Sequence, residues 1–218
     1  MTIYDLRFSP KRLASGLLVT LLLITGCTER VVVEDKFDGR SPLVWKLESD
    51  EQGQTAIQDG QLTFSIPAAG VARYVAAEGL IVGDFVAQVE VMQLAGSKNS
   101  GYGMVFRMQD VLSTTPQFYR FDITGNGRFM VEKRTAENGW ERLTDGWQDT
   151  TLLLTGFDNR NLLKVEAQGS DLGFFINGFE VFSVNDSTYS SGGFGLDAGT
   201  FDQGGLVVAF DNFSLETR

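Results

Sequence analysis

The fold of this chain is decided by residues 161–184, which read NLLKVEAQGSDLGFFINGFEVFSV. Apolar and polar side chains alternate from Leu163 to Ala167, which is the period of a half-buried β-strand. A Gly-Ser turn leads into an aromatic strand that ends at Asn177-Gly178, the dipeptide that a two-residue type I′ hairpin prefers. The stretch therefore predicts three consecutive strands joined by tight turns.

The same pattern extends over most of the chain. Short β-rich runs alternate with Gly, Asn and Asp, and no segment shows a long 3.6-residue period. Strands are predicted at residues 61–66, 84–92, 102–108, 118–123, 128–133, 162–167, 172–176, 179–184, 193–196 and 206–215. Many short strands at this spacing are typical of a two-sheet sandwich or a barrel. No Pro-rich or Ser-rich linker interrupts residues 37–218, so we interpret them as one domain.

The N-terminal segment has the features of a secretory signal. Arg7 and two further basic residues precede an apolar run from Leu13 to Thr25, and a small residue, Gly26, follows the run. A membrane-spanning helix needs roughly 20 apolar residues, which argues against the alternative of an uncleaved transmembrane anchor. Residues 1–26 are therefore predicted to be a signal peptide.

The boundary of this segment, LITGC at residues 23–27, resembles the lipobox of bacterial lipoproteins. The resemblance implies cleavage before Cys27, the only cysteine of the chain, and acylation of that residue. Residues 27–36 are then the lipidated cysteine and a short tether, and about ten residues reach no more than roughly 35 Å. Because Thr28 rather than Asp follows the cysteine, the resemblance implies the outer membrane of a bacterial cell envelope rather than the inner one.

Composition excludes several classes of function. The 28 acidic residues outnumber the 18 basic ones and give a formal net charge of -10. This charge argues against nucleic acid as a partner and against electrostatic adhesion to anionic lipid. The chain has no histidine, which excludes a Ser-His-Asp triad, His-ligated zinc and a His general base.

Several stretches resemble concanavalin A-like lectin/glucanase domains, including their bacterial laminin-G-like and keto-disaccharide-hydrolase-like members. They are residues 161–184, GGFGL at 192–196, AFDNF at 209–213, YGMVFR at 102–107 and FYRFDI at 118–123. The resemblance covers residues 35–217 and implies an all-β fold, a two-sheet antiparallel jelly-roll sandwich with one concave sheet. In carbohydrate-binding members of the superfamily, the concave face or its rim holds the sugar.

Strand alternation selects the candidate ligand-binding residues. If the apolar residues of the 102–108 and 118–123 strands form the core, Arg107, Arg120 and Asp122 project from one sheet surface. Trp140 and Trp147 would supply flat faces on which sugar rings stack. The alternative is a solvated Arg/Asp ladder, with both tryptophans packed in the core.

No catalytic residue is predicted. Glucanases of this fold carry a Glu-x-Asp-x-x-Glu strand, and this chain offers only isolated glutamates such as Glu90 and Glu132. The resemblance pairs the strands of Asp38 and Asp211 as first and last, which suggests a structural calcium site built from oxygen ligands. The alternative is that these aspartates cap turns through Asx hydrogen bonds.

Three functions stay open, in this order. The first is a lipid-anchored envelope protein that binds a polysaccharide or oligosaccharide without catalysis. The second is an envelope protein-interaction or spacer lipoprotein whose partner is another protein. The third is a glycoside hydrolase-like enzyme with an unrecognised pair of carboxylates.

Overall fold

The computed structural model describes residues 30–111 and 115–218. The predicted signal peptide and Cys27 lie outside the described residues. The described strands are β1 (Val32–Asp35), β2 (Ser49–Asp50), β3 (Gly53–Gln58), β4 (Gln61–Ile66), β5 (Ala72–Val82), β6 (Phe85–Ala95), β7 (Gly101–Gln109), β8 (Gln117–Thr124), β9 (Arg128–Thr135), β10 (Gly139–Arg142), β11 (Gln148–Asp149), β12 (Asn161–Gln168), β13 (Asp171–Ile176), β14 (Phe179–Asn185), β15 (Gly192–Gly199) and β16 (Leu206–Thr217). Over these two ranges, no helix has the length and apolar character needed to cross a membrane.

The strands form two antiparallel sheets, which confirms the predicted all-β sandwich. The nine-stranded sheet has the order β14-β13-β12-β6-β16-β4-β3-β2, with β1 also paired to β16. The seven-stranded sheet has the order β10-β9-β8-β7-β15-β5, with β11 also paired to β9. Half of the strand pairs join consecutive strands, but the middle of each sheet is completed only when the chain returns at β15 and β16.

The hairpin of residues 161–184 is present as predicted. Asn177 and Gly178 have φ angles of 51° and 88°, and a type I′ turn requires positive φ at both central residues. Every strand predicted from the sequence is found. The long strand β5 is missed by the sequence analysis, because Gly79 interrupts its alternation and adopts a φ of 72°.

The sandwich begins before residue 37, which corrects the predicted domain boundary. Val32–Asp35 pair with residues 213–216 of β16, and the amide of Val31 donates a hydrogen bond to Thr217. The partner of β16 on this edge, β4, ends at the Leu62–Phe210 pair. The C-terminal part of β16 thus offers a free edge, and β1 covers it.

The space between the sheets is filled largely by phenylalanine. Phe85, Phe106 and Phe194 are fully buried, and the Phe85 ring lies 5.7 Å from Phe106 and 5.9 Å from Phe194 in edge-to-face contact. Such aromatic pairs contribute about 0.5–1.5 kcal/mol beyond the area they bury. Packing of this kind stabilises the sandwich without a disulfide and leaves the outer faces of both sheets free to carry polar residues.

Candidate functional site

The outer face of the seven-stranded sheet brings polar side chains from three strands together. Arg120 and Asp122 alternate with core residues of β8 and therefore point outward. Glu132 on β9 lies opposite Arg120, while Gly103 on β7 lies between Asp122 and Asp197 of β15. We call Arg120, Asp122, Glu132 and Asp197 the Arg120 cluster.

Arg120 is the centre of this cluster. Its Nη2 donates to the carboxylate of Glu132, its Nε lies 3.4 Å from Oδ2 of Asp122, and its Nη1 lies 3.6 Å from Oδ2 of Asp197. The three carboxylates are almost completely buried. One guanidinium cannot neutralise three carboxylates, so the buried cluster favours retention of a proton.

That proton belongs to the Asp122–Asp197 pair. Burial raises the pKa of Asp122 to about 6, although Arg120 opposes the shift. Burial, and next the negative charge of Asp122, raise the pKa of Asp197 well above its ordinary value. The Oδ1 atom of each carboxylate lacks another hydrogen-bond partner among the described residues. A proton shared between the two side chains satisfies both.

Gly103 makes this close approach of the two aspartates feasible. A Cβ atom at this position would lie 2.9 Å from Oδ1 of Asp122 and would collide with the carbonyl oxygen of Phe121. Any other residue at Gly103 would therefore push the strands or the carboxylates apart.

Two tryptophans cover the outer face. The Trp140 ring lies 4.3 Å from the guanidinium carbon of Arg120 and 5.7 Å from that of Arg134, and its side chain is 46% exposed. Trp147 is half-buried over Gly101 and meets the ring of Phe201 edge-to-face at 6.2 Å. Neither ring is part of the core, so the alternative of two core tryptophans is wrong.

Grooves lie on both sides of Trp140. One has a volume of about 600 Å³ and is lined by Arg120, Met130, Glu132, Trp140, Arg142, Trp147 and Phe201. The other, of about 270 Å³, includes Tyr74, Phe118 and Arg134 in its lining. Trp140 thus presents an accessible aromatic surface between two polar grooves.

Arg107 does not share this face, which corrects the prediction that it projects beside Arg120. The register of β7 shifts between Phe106 and Gln109, and Arg107 has a φ of 48°. This β-bulge reverses the alternation of the strand. Met108 therefore packs on the outer face, while the side chain of Arg107 is fully buried.

The buried Arg107 side chain connects two loops. Its Nε and Nη2 donate to the carbonyl oxygen of Gly83 at 3.2 and 3.0 Å, and its Nη1 donates to that of Tyr189 at 2.9 Å. Asp84, 3.5 Å away, balances its charge. Arg107 therefore has a structural role, and its buried side chain is not accessible to an external ligand.

The two aspartates predicted as calcium ligands have partners within the chain. Asp38 accepts a hydrogen bond from the Arg40 amide, as the Asx-cap alternative requires. Asp211 accepts one from the Asn212 amide, and its other oxygen lies 3.1 Å from Nη1 of Arg160. The described residues contain no group of three or more carboxylate, His or Cys side chains placed to hold a metal ion. Because the Arg160 guanidinium competes with a cation, these residues do not fit calcium well, and the calcium site stays a prediction.

The sequence analysis missed several residues of the site, namely Glu132, Asp197, Arg134 and Arg142. Alternation along β9 places Glu132 and Arg134 on one face, so part of the signal was present in the sequence. It is the register between β8 and β9, and between β7 and β15, that brings them to Arg120. The paired residues of β7 and β15 lie 85 or more positions apart in the chain, and pairing over that distance cannot be predicted from local periodicity.

Comparison of the sequence with protein-family models finds no match, and comparison with curated proteins also finds none. The fold is similar to that of carbohydrate-binding module CBM66 from Bacillus subtilis, with a TM-score of 0.62, 16% identity, and coverage of 79% of this chain and 95% of that chain. It is also similar to a B. subtilis protein of unknown function with a galectin-like fold (TM-score 0.63, 12% identity, 85% and 96% coverage) and to the β-glucanase of Bacillus licheniformis (0.62, 8%, 86% and 98%). At these identities the likeness concerns the fold alone. The chain has the fold of a concanavalin A-like jelly-roll sandwich.

Proposed function

We propose that this protein is a lipid-anchored protein of the bacterial cell envelope whose sandwich binds carbohydrate, without catalysis, on the outer face of the seven-stranded sheet. The observation that carries the proposal is Trp140, a half-exposed indole between two polar grooves. Sugar rings stack on flat aromatic faces, while their hydroxyls pair with planar polar groups at the rim. A fold shared with a carbohydrate-binding module and glucanases supports this choice of ligand class.

Rigidity of the face supports binding as well. Trp140 is packed against Arg120 and makes an edge-to-face contact of 5.7 Å with Phe118. Arg120 is in turn fixed by its three carboxylates. A ligand that stacks on an aromatic ring already held in place loses less entropy on binding.

Hydrolysis is the second candidate, because the Arg120 cluster contains a carboxyl group with a raised pKa, as a general acid requires. A glycosidase holds its two carboxyl groups about 5–9.5 Å apart so that the glycosidic bond fits between them. Asp122 and Asp197 instead hydrogen-bond to each other beneath the surface. This geometry favours binding over hydrolysis, and release of reducing sugar that Asp122→Asn abolishes would reverse that order.

An envelope partner protein is the remaining alternative. It predicts that crosslinking in intact cells joins this protein to one stoichiometric partner. A protein that stays uncrosslinked but is retained on a polysaccharide matrix would favour the carbohydrate function.

The carbohydrate proposal is tested with the full-length protein in a detergent that has no sugar headgroup, on an array of polysaccharides. We expect saturable binding that weakens at least about tenfold in Trp140→Ala and in Trp147→Ala, as expected when a stacking surface is lost. Phe179→Ala is the matched control, because Phe179 is an exposed aromatic of β14 in the other sheet. Folded wild-type protein that binds no saccharide, or tryptophan variants that bind as wild type does, would refute the proposal.

The anchor is tested separately. We expect labelled palmitate to be incorporated by wild-type protein and not by Cys27→Ser, which should also leave the membrane fraction. A Cys27→Ser protein that stays in the membrane fraction would refute the lipid anchor without bearing on the sugar site.

A further inference from the structure

Arginines on the outer face of the seven-stranded sheet are unlike the others in the molecule. Ten arginines lie in residues 30–111 and 115–218, and seven of them form an ion pair with a carboxylate. The three that do not are Arg128, Arg134 and Arg142. In a chain with a net charge of -10, arginines without carboxylate partners are therefore found on this one face.

These three arginines surround the exposed aromatic rings. Arg134 and Trp140 are opposite each other in the β9–β10 register, and Arg142 is opposite Glu132. Arg142 lines the larger groove and Arg134 the smaller one. Arg128 lies 5.9 Å from the ring of Trp147 and uses one nitrogen to donate to Asn99. Each groove thus combines a stacking surface with a guanidinium that has no anion.

The carboxylates beneath offset this positive charge only in part. Glu132 is paired with Arg120, and the Asp122–Asp197 pair, which holds one proton, leaves a single buried negative charge against three guanidinium groups that have no carboxylate partner. Keeping uncompensated guanidinium groups next to one another is unfavourable unless an anion joins them. A guanidinium binds a carboxylate or sulfate group through two parallel hydrogen bonds.

We propose that the saccharide bound between Arg134 and Arg142 is anionic, a glycan that carries carboxylate or sulfate groups beside the ring that stacks on Trp140. This inference rests on the proposed carbohydrate function and specifies its ligand class. A neutral sugar would leave both guanidinium groups without a partner, whereas an acidic sugar satisfies them and uses the same aromatic surface.

The test compares glycans that differ only in charge. The full-length protein is titrated with polygalacturonate and with its fully methyl-esterified form, and with dextran sulfate and with dextran. We expect at least about tenfold tighter binding to one or both anionic members than to their neutral counterparts. The two pairs distinguish carboxylate from sulfate as the preferred group. We also expect the preference to shrink as sodium chloride is raised, because rim charges are screened.

Substitutions then locate the anion. Arg134→Gln combined with Arg142→Gln should remove the preference without a large loss of melting temperature, since neither side chain has an ion pair to lose and only Arg134 contacts the Trp140 ring. Arg40→Gln is the matched control, because Arg40 is a highly exposed arginine in a loop outside this sheet. A preference that survives the double substitution, or that Arg40→Gln also removes, would overturn the inference.

The outcomes separate this inference from the proposal beneath it. Equal or tighter binding of the neutral glycans, still dependent on Trp140, would overturn the anionic ligand and keep the carbohydrate function. Binding of none of the four polymers by folded protein would count against both.

Discussion

The buried pair of aspartates predicts that the protein becomes less stable as the pH rises from 4 to 7. The pKa of Asp122 is about 6 in the folded chain and 3.8 in its ordinary environment. Between these values the folded chain keeps a proton that the unfolded chain releases, so the free energy of unfolding falls as pH rises. The stabilisation is complete below pH 4 and is lost above the folded pKa.

The size of the effect follows from the shift. Two pKa units correspond to about 3 kcal/mol, a figure that applies because the carboxyl is buried and unscreened. For a domain of this length, that amount lowers the melting temperature by roughly 6–12 °C. Carboxylates with lowered pKa values, such as Asp50 and Asp186, act at pH values below this window and do not offset the fall.

The assay is thermal and chemical unfolding of wild type and Asp122→Asn at intervals from pH 4 to 8. Asparagine stays neutral, so the substitution should remove the part of the pH dependence that Asp122 contributes, while the buried Asp197, whose pKa is also raised, keeps the rest. Between pH 4 and pH 7 the variant should therefore lose less stability than wild type. Asp202→Asn, which changes an exposed carboxylate near Phe201, should keep the wild-type slope. A variant Asp122→Asn with the full wild-type slope would refute the assignment of the shared proton to this pair.

Further predictions concern single residues. Arg107→Met should lower the free energy of unfolding by about 3 kcal/mol or more, because the carbonyl oxygens of Gly83 and Tyr189 lose their buried donor. The saccharide affinity of the folded variant should stay at the wild-type value, and weakened affinity at full stability would contradict this. Burial opposes ionisation of Asp186, but hydrogen bonds from Lys133 and neighbouring residues outweigh burial and lower the pKa of Asp186. Asp186→Asn should therefore lower the free energy of unfolding by about 2 kcal/mol at pH 7 and should reduce the further loss of stability below pH 4. Denaturant titrations at pH 7 and below pH 4 would show both effects. Gly178→Ala should cost about 1 kcal/mol, since its φ of 88° strains any residue with a Cβ, and an unchanged denaturation midpoint would refute that. The calcium hypothesis predicts that added calcium raises the melting temperature of wild type but not that of Asp211→Asn. Equal melting temperatures of wild type in calcium and in chelator would refute the hypothesis.

The proposed binding face could be predicted only in part from the sequence. Alternation placed Arg120 and Asp122 together correctly, because both lie on one regular strand. The same argument failed for Arg107, because the bulge after Phe106 reverses the side to which each following residue points. A bulge is stabilised by pairing with the neighbouring strand, and no local signal in YGMVFRMQ marks it.

The sequence by itself determined the class of the fold. Three of its features are local or compositional, namely the alternating strands, the Asn177-Gly178 turn and the many phenylalanines available for a core. Each depends on the backbone preference or the hydrophobicity of single residues. The absence of histidine and the net acidic charge are also compositional, and they exclude histidine-dependent catalysis and argue against nucleic-acid binding.

Only the tertiary structure decided the site. Glu132 reaches Arg120 from the next strand, but Asp197 arrives from 77 positions further along the chain, and its approach to Asp122 depends on Gly103 between them. Cross-strand register joins residues that are far apart in sequence, and burial then changes their pKa values. Both are properties of the assembled sheet, because proximity and loss of solvent arise only when the strands pair.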